Sequence, residues 1–397
     1  MKYFLSCIFA TLFLLASCNK KNNQQNNSAD INQKIMYAND PHSYAKPNDI
    51  VVKHLNLELT VDFDSGKLKG IARWTIQHNS DIEKIILDTR NLDIEIVTLQ
   101  NKDAEVPAEY SIGNNDSVLG KPLIISVPKN ITQVNIYYST TENADALQWL
   151  KPEQTAEKTS PFLFTQSQAI LARTWIPCQD GPGVRFTYDA TVTCPKNMLA
   201  VMSAENPQQK NESGIYAFNM PQPIPSYLMA LAVGDFVFKS IGNETGVYAQ
   251  PTMIDKCIYE FADMQKMLEV AEKLYGKYEW GRYDVIVLPP SFPFGGMENP
   301  RLTFATPTII AGDRSLVALI AHEMAHSWSG NLVTNATWDD FWLNEGFTVY
   351  FENRIMEALY GNDYEDMLEV LGKEDLIATV NDLGSTSADT HLKLNLA

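Results

Sequence analysis

The chain has 397 residues and a formal net charge of −17, and 45% of its residues are hydrophobic. This apolar content excludes a disordered or fibrous protein, because it suffices for one or two packed cores. The acidic excess argues against a nucleic-acid partner, and only five cysteines in a chain of this length exclude a disulfide scaffold.

The first 38 residues have the features of an export signal followed by a tether. A basic start precedes an apolar stretch, Phe4 to Leu15, that is too short to span a bilayer as a permanent helix. The stretch leads into Ala16-Ser17-Cys18, which together with Leu15 resembles the bacterial lipoprotein box. We expect a signal peptide at 1–17, then a lipidated Cys18 with an Asn/Gln-rich tether at 18–38. The alternative is an ordinary secretory signal with an incidental cysteine.

This interpretation predicts an exported lipoprotein of the bacterial cell envelope, on the periplasmic or outer-surface side. The lipid anchor would be its contact with the membrane.

Residues 39–236 have the pattern of an antiparallel β domain. Apolar and polar residues alternate from Leu55 to Phe63 and again from Phe186 to Cys194, which is the period of a half-buried strand. Turn-forming residues separate these and shorter β-rich runs. The shorter runs are Lys84–Leu87, Leu123–Val127 and Val134–Tyr138.

Residues 237–397 have a mixed α and β pattern. Apolar residues from Phe261 to Tyr275 recur at spacings of three and four, and Gly276 follows as a helix cap. The remaining elements predicted in this half are a strand at Tyr283–Leu288 and helices at Leu316–Trp328 and Trp338–Arg354.

Two of the six histidines lie in one short motif, His322-Glu323-Met324-Ala325-His326. Residues four apart on an α-helix differ by about 40° in rotation and about 6 Å in rise. Both imidazoles can therefore reach one metal ion from a single helix face. The alternative is a pair of core or solvated histidines without a metal.

Glu345 is the candidate for a third ligand on a second helix. Catalytic zinc usually takes three protein ligands and keeps one position open for water. Glu345 follows the second histidine of the motif by 19 positions. Leu343, Phe347 and Tyr350 suit the buried face of a helix that would carry Glu345 toward the motif. Without the histidine motif, Glu345 could equally be a surface glutamate.

Glu323 directly follows the first histidine and lies about 100° round the helix from it. It can approach a water on the metal without ligating the metal itself. Zinc lowers the pKa of such a water to about 7, so a carboxylate can accept its proton and pass it to a leaving amine. This chemistry is hydrolysis without a covalent enzyme intermediate.

His322-Glu323-x-x-His326 with eighteen residues before Glu345 resembles the gluzincin pattern, and Gly295-Gly296-Met297-Glu298-Asn299 resembles the exopeptidase signature of the aminopeptidase N family. The similarity begins near residue 39. It implies one zinc ion per chain and a thermolysin-like catalytic domain after the β domain. Three further stretches are similar to the leukotriene-A hydrolase/aminopeptidase branch: Pro289-Pro290-Ser291-Phe292-Pro293-Phe294, Trp175-Ile176-Pro177-Cys178-Gln179-Asp180 and Asp40-Pro41-His42-Ser43-Tyr44-Ala45.

The resemblance also implies how a substrate is held. Glu298 would bind the free α-amine, so that one residue is released at a time from peptides with a free N-terminus. Gly295 and Gly296, with Met297, would let the backbone approach the substrate as an added strand. Gln168 matches the family position that helps to bind the amino end. Taken alone, these residues are a turn signal, a loop acid and a solvated glutamine.

The sequence departs from the family after Glu345. Family members place a catalytic tyrosine well beyond the third ligand, and Tyr350, Tyr360 and Tyr364 lack its motif context. The helical C-terminal domain of relatives is also absent from these residues. We therefore expect a C-terminally truncated enzyme with poor turnover, because loss of an oxyanion donor commonly costs about 10²–10³ in kcat.

Three functions are consistent with these motifs. The first is a zinc aminopeptidase that acts on small peptides. The second is epoxide hydrolysis at the same zinc, which one branch of the family adds. The third is an inactive, metal-bearing peptide-binding paralogue.

Overall fold

The computed structural model describes residues 36–102 and 104–395. The predicted signal peptide, Cys18 and the tether before residue 36 therefore lie outside the described residues. None of the described helices combines the length and the apolar character that crossing a membrane requires.

Slightly more than half of the described chain, as far as residue 234, is a succession of strands. In β1 the side chains of Leu55, Leu57 and Leu59 are buried and those between them face outward, as the alternation predicts. The strands are β1 (Ile50–Asp62), β2 (Lys67–His78), β3 (Lys84–Thr89), β4 (Leu92–Asn101), β5 (Ala104–Pro107), β6 (Tyr110–Ile112), β7 (Lys121–Ser126), β8 (Gln133–Thr140), β9 (Leu147–Leu150), β10 (Phe162–Thr165), β11 (Arg185–Thr193), β12 (Leu199–Met202), β13 (Ile215–Pro225) and β14 (Leu231–Gly234).

These strands form three sheets. The largest has the order β13-β11-β1-β2-β8-β4-β5, the second β12-β14-β10-β9 and the smallest β3-β7-β6. The predicted β domain is confirmed, with one difference: β1 and β11 run parallel, while the other pairs in these sheets are antiparallel. More than 100 residues separate the paired His54 and Thr187, so the connection returns to the same end of the sheet.

Two of the family-like stretches meet in the interior of the β domain. Asp88 accepts hydrogen bonds from Ser43 Oγ at 2.5 Å and from the backbone N of Asp180 at 2.9 Å. The Arg173 guanidinium donates from Nε to Asp180 at 2.9 Å and from Nη2 to the carbonyl of His42 at 2.7 Å. Asp88, Arg173 and Asp180 are fully buried, so this network fastens the segment around residue 42 to the sheets.

The remaining elements form a mixed α/β arrangement around a fourth, five-stranded sheet. The sheet order is β15-β16-β17-β19-β18, with β16, β17 and β19 parallel and an antiparallel strand at each edge. The strands are β15 (Val237–Ser240), β16 (Thr245–Ala249), β17 (Tyr283–Val287), β18 (Gly296–Met297) and β19 (Leu302–Ala305), and the helices are α1 (Ile254–Glu260), α2 (Met264–Tyr275), α3 (Ala318–Ala325), α4 (Trp342–Tyr360) and α5 (Asn362–Leu383).

The helices differ from the predicted ones at their ends. The helix predicted from Phe261 begins at Met264, and Gly276 ends it with a φ of 93° as expected. Helix α3 is shorter than the predicted 316–328, although its C-cap, His326, keeps helical dihedral angles. Helix α5 was not predicted, because none of its residues is buried and its apolar positions follow no single stripe.

The predicted buried face of α4 is wrong. Leu343, Phe347 and Tyr350 are 37%, 49% and 59% exposed, whereas Asn344 and Thr348 are buried. The buried face is polar at this end of α4 because it packs against His322 of α3 and against His326, the C-cap of α3.

Cys178, Cys194 and Cys257 are all buried free thiols. The described part of the chain is therefore held together by packing and hydrogen bonds, without a disulfide bond.

Candidate active site

Helices α3 and α4 bring the three predicted metal ligands together. His322 is on α3, His326 caps its C-terminus, and Glu345 is in the first turn of α4. The Nε2 atoms of the two histidines are 3.1 Å apart. Glu345 Oε2 lies 3.4 Å from Nε2 of His322 and 3.7 Å from Nε2 of His326. The three atoms form a nearly equilateral triangle.

The hydrogen bonds of the two imidazoles show that this triangle fits a cation. His322 Nδ1 lies 2.9 Å from a carboxylate oxygen of Glu352, and His326 Nδ1 lies 3.1 Å from the carbonyl of Ser329. Because both partners are acceptors, each Nδ1 can donate a proton outward, which would leave an Nε2 lone pair on each ring to face a bound metal ion. A cation at the centre of the triangle would meet two imidazole nitrogens and one carboxylate oxygen.

The distances agree with zinc. Ligand atoms about 2.0–2.1 Å from a tetrahedral zinc ion lie about 3.3 Å from one another. The observed separations of 3.1, 3.4 and 3.7 Å bracket that value. A set of two imidazoles and one carboxylate is also the donor set of many catalytic zinc sites, with a fourth position left for water.

Two residues of α4 that orient the histidines were not predicted from the sequence. Glu352 is seven positions after Glu345 on α4, which is two helical turns, so both carboxylates face His322. The spacing of seven residues in the sequence therefore indicates that Glu352 lies on the same helix face as Glu345. Thr348 Oγ1 lies 3.1 Å from His326 Nδ1 and donates to the Asn344 carbonyl at 2.7 Å. Such partners fix the ring orientation of metal-binding histidines.

Glu323 lies beside the triangle without belonging to it. Its side chain is buried, and Oε2 has no hydrogen-bond partner in the described part of the chain. Burial raises the pKa of Glu323 well above its usual value, and the nearby acids Glu298 and Glu345 add to that effect. A divalent cation beside the carboxylate favours its ionised form. The free oxygen is therefore a candidate proton acceptor.

Glu298 follows the edge strand β18 and faces the same space. It is buried, and Gln168 Nε2 donates to its Oε1 at 3.3 Å. Burial, together with the charge of Glu345, raises the pKa of Glu298 to about 7. A carboxyl group in this environment gains most from a cationic partner. The predicted pair of Gln168 and Glu298 is thus brought together from the two halves of the chain.

Oxygen or nitrogen atoms of Glu298, Glu323 and His326 also lie within 4.8 Å of one another. Of the two possible metal groups, we favour His322, His326 and Glu345, because its two imidazole lone pairs converge. This leaves the two buried carboxylates of Glu298 and Glu323 to act on a substrate.

An open cleft of about 780 Å³ is lined by the three proposed metal ligands and by Glu323, Glu298 and Gln168. Gly295 and Gly296 lie on one wall, whereas Met297 is buried behind it and accepts from Gln166 Nε2 at 3.1 Å. Tyr364 of α5 lines the cleft, Tyr350 is mostly exposed, and Tyr360 donates to Asp263 at 3.3 Å. The larger apolar lining residues are Phe294, Ile309, Leu316, Leu319, Phe341, Met367, Leu368 and Leu371.

Comparisons with known proteins agree with this architecture. Residues 51–228 match the peptidase M1 N-terminal domain, and residues 259–394 match the peptidase family M1 domain. Leukotriene A-4 hydrolase of Xenopus laevis is 45% identical over 368 residues, which are 90% of this chain and 60% of that protein. Leucine aminopeptidase 2 of Yarrowia lipolytica is 46% identical over 79% of this chain and 48% of that protein.

A solved structure shows the same fold. The native yeast LTA4 hydrolase superimposes with a TM-score of 0.84 at 37% identity, over 90% of this chain and 56% of that chain. The chain thus spans about three fifths or less of the length of these relatives. Zinc is the metal of this family, and the triangle of ligand atoms fits it. The two matched domains, the fold and the metal triangle together show that the chain belongs to the M1 family of metallopeptidases.

Proposed function

We propose that the protein is a zinc aminopeptidase that removes single residues from peptides with a free N-terminus. The observation that carries this proposal is the pair of buried carboxylates, Glu298 and Glu323, beside the metal triangle. Glu298 is suited to bind a positively charged amine, and Glu323 is suited to accept and donate a proton.

Each residue has a distinct task in this proposal. His322, His326 and Glu345 hold the zinc ion, which when bound polarises a carbonyl and makes a water molecule acidic. Glu323 accepts a proton at Oε2 as the scissile carbonyl is attacked, and it then gives the proton to the leaving amine. Glu298 fixes the α-ammonium group of the substrate through an ion pair, and Gln168 orients that carboxylate.

The edge of the five-stranded sheet offers a place for the substrate backbone. Strand β18 contains Gly296 and Met297, and it lies at the edge of its sheet beyond β19. An extended peptide can add to such an edge by main-chain hydrogen bonds. This geometry would place the first peptide bond between Glu298 and the metal triangle.

The cleft also indicates which N-terminal residues it accepts. Its lining is mainly apolar, and its charged members, Glu298, Glu323, Glu345 and Glu352, are acids apart from the histidines. An acidic first residue would meet like charge, whereas an apolar residue would be desolvated favourably. We propose small peptides with apolar first residues as substrates.

Glu323→Gln tests the catalytic role. We expect zinc to bind with unchanged stoichiometry while cleavage of an unblocked leucyl reporter falls by about 10³-fold or more, because the proton acceptor is lost. Glu374→Gln makes the same chemical change on exposed α5 and serves as the control. Equal turnover of Glu323→Gln and the parent chain would exclude this mechanism and would favour a peptide-binding module.

Epoxide hydrolysis is the second candidate because one relative is named leukotriene A-4 hydrolase. Incubation with an aliphatic epoxide under the same conditions tests it. Diol formation that depends on zinc would add this activity to the peptidase.

We also propose that the chain is an exported lipoprotein anchored through Cys18. The support is the sequence Leu15-Ala16-Ser17-Cys18 followed by a polar tether. Expression in a bacterium with labelled palmitate should label the parent chain but not Cys18→Ser. Equal labelling of both chains, or of neither, would contradict the anchor.

A further inference from the structure

Arg185, the first residue of β11, links the β domain to the loop that follows the metal-binding helix. Its Nε and Nη2 donate to the carbonyl of Pro223 at 3.1 and 2.8 Å. On the other side, Nη1 donates to Thr334 Oγ1 and Nη2 to the carbonyl of Asn331, both at 2.6 Å. The guanidinium thus connects Pro223 with the loop at 331–334, although Asn331 follows Pro223 by 108 positions in the chain.

The partners of Arg185 are all uncharged. No carboxylate in the described residues forms an ion pair with it. Arg185 is half-buried, and this desolvation lowers the pKa of its guanidinium. Placing a cation there costs desolvation energy that no counterion offsets. An arginine that is not needed for charge balance is explained by its rigid fork of donors, which fixes two carbonyls and a hydroxyl together.

The loop held by Arg185 touches both parts of the active site. The backbone N of Asn331 donates to the carbonyl of His326 at 3.0 Å. The side chain of Asn331 is buried, and its Nδ2 donates to the carbonyl of Glu298 at 2.8 Å. Thr334 Oγ1 accepts from Arg185 and donates to the carbonyl of Gly330 at 2.5 Å, which closes the turn.

We propose that Arg185 is a positioning residue for recognition of the substrate amine. It holds the turn at 330–334, Asn331 in that turn holds the backbone of Glu298, and Glu298 meets the amine. Gln168 holds the carboxylate of the same glutamate, so the β domain fixes Glu298 at both its side chain and its main chain. This inference rests on the proposed role of Glu298 in aminopeptidase action.

Peptide binding, rather than turnover, provides the test. Calorimetry in the zinc-loaded Glu323→Gln background, where a peptide should stay intact, gives the affinities of leucyl-alanine and N-acetyl-leucyl-alanine. Arg185→Met should lower the affinity for leucyl-alanine about tenfold, which is the loss expected for a misplaced charge-assisted contact. The affinity for the acetylated peptide should stay within about twofold of that of the background. Arg185→Lys keeps the charge and part of the donor set, and it should recover part of the affinity.

Asn331→Asp provides a second route to the same result, because it replaces the amide donor to Glu298 by an acceptor. Like Arg185→Met, it should lose the preference for the free amine. The variant with both substitutions should bind leucyl-alanine no more weakly than either single variant, because both act through the same contact. Arg73→Met, on the same large sheet but bonded to Glu58 and Asn56, is the matched control and should bind both peptides like the parent.

The outcomes separate this inference from the proposed function. If the Glu323→Gln background does not prefer leucyl-alanine over N-acetyl-leucyl-alanine, the proposed role of Glu298 is wrong. The inference about Arg185 is then wrong as well. If the background shows the preference and both Arg185→Met and Asn331→Asp keep it, Arg185 has no part in amine recognition. Equal weakening of both peptides would likewise overturn the inference and make Arg185 merely structural.

Discussion

The backbone of Gly296 lies directly against the carboxylate of Glu323. A Cβ at position 296 would stand 2.1 Å from Oε1 and 2.4 Å from Cδ of that glutamate. Glycine is therefore required here by the close approach of the edge strand β18 to the proposed proton acceptor.

Gly296→Ala should displace Glu323 and lower kcat for a free-amine reporter by about 10²-fold, the loss expected when a catalytic group moves by about 1 Å. Zinc stoichiometry should not change, because the three heavy atoms nearest to the new methyl group all belong to Glu323, which is not a metal ligand. The measurement is kcat alongside metal content.

Gly372→Ala is the matched control, since a Cβ at this position of α5 meets nothing within 4 Å. It should leave kcat unchanged and stabilise the helix by about 0.5–1 kcal/mol. Equal activity of Gly296→Ala and Gly372→Ala would show that Glu323 does not need its present position.

Glu352→Gln should weaken zinc binding about 10–100-fold, because the carboxylate accepts from Nδ1 of His322 and orients its ring. Competition with a chromophoric chelator measures the change, with Glu374→Gln as the carboxylate-to-amide control. An unchanged zinc affinity in Glu352→Gln would mean that His322 is oriented by packing alone.

Arg173→Met should cost about 3–5 kcal/mol of unfolding free energy, because it leaves the fully buried Asp88 and Asp180 without their cation. Urea unfolding followed by tryptophan fluorescence measures this loss. The ion pair of Arg73 and Glu58 at the surface is the control. Arg73→Met should lower the free energy of unfolding by about 1 kcal/mol or less. Similar losses in both variants would contradict the structural role of the buried network.

Alkaline pH should destabilise the protein through its buried thiols. Burial raises the pKa of Cys194 and of Cys257 to about 12, whereas a thiol in the unfolded chain titrates near about 8.5. The folded state therefore holds these protons more tightly, and their contribution to stability is complete below about pH 8.5. It falls by about 1.4 kcal/mol per thiol per pH unit above that value.

Denaturant midpoints from pH 8 to pH 10.5 measure this effect against a Cys194→Ala, Cys257→Ala double variant. The variant should show a shallower fall in stability than the parent chain over this range. Parallel curves would mean that the two thiols do not contribute.

The sequence was sufficient for the features that depend on local spacing. Residues 322 and 326 share a helix face because of their separation, and the alternation in β1 follows from one buried face. The same rule would have found Glu352, two helical turns after Glu345. The buried face of α4 was predicted wrongly, because hydrophobic pattern alone does not show that a helix packs on polar histidines.

Contacts between distant segments left no such signal. Arg185 and Asn331 are 146 positions apart, and Gln168 and Glu298 are 130 apart, so only the folded chain shows that they meet. The resemblance of motifs indicated Gln168, but it did not indicate Arg185 or Asn331. Parallel pairing of β1 with β11 was also invisible, because one strand's alternation does not reveal its neighbour's direction.

The most direct test of this account is the cleavage of two reporters that differ only at the amine. The zinc-loaded chain is incubated with leucyl-p-nitroanilide and with its N-acetylated form, with and without a chelator. We expect chelator-sensitive release from the free-amine reporter alone, because Glu298 binds an ammonium group. Equal cleavage of both reporters, or release that survives the chelator, would contradict it.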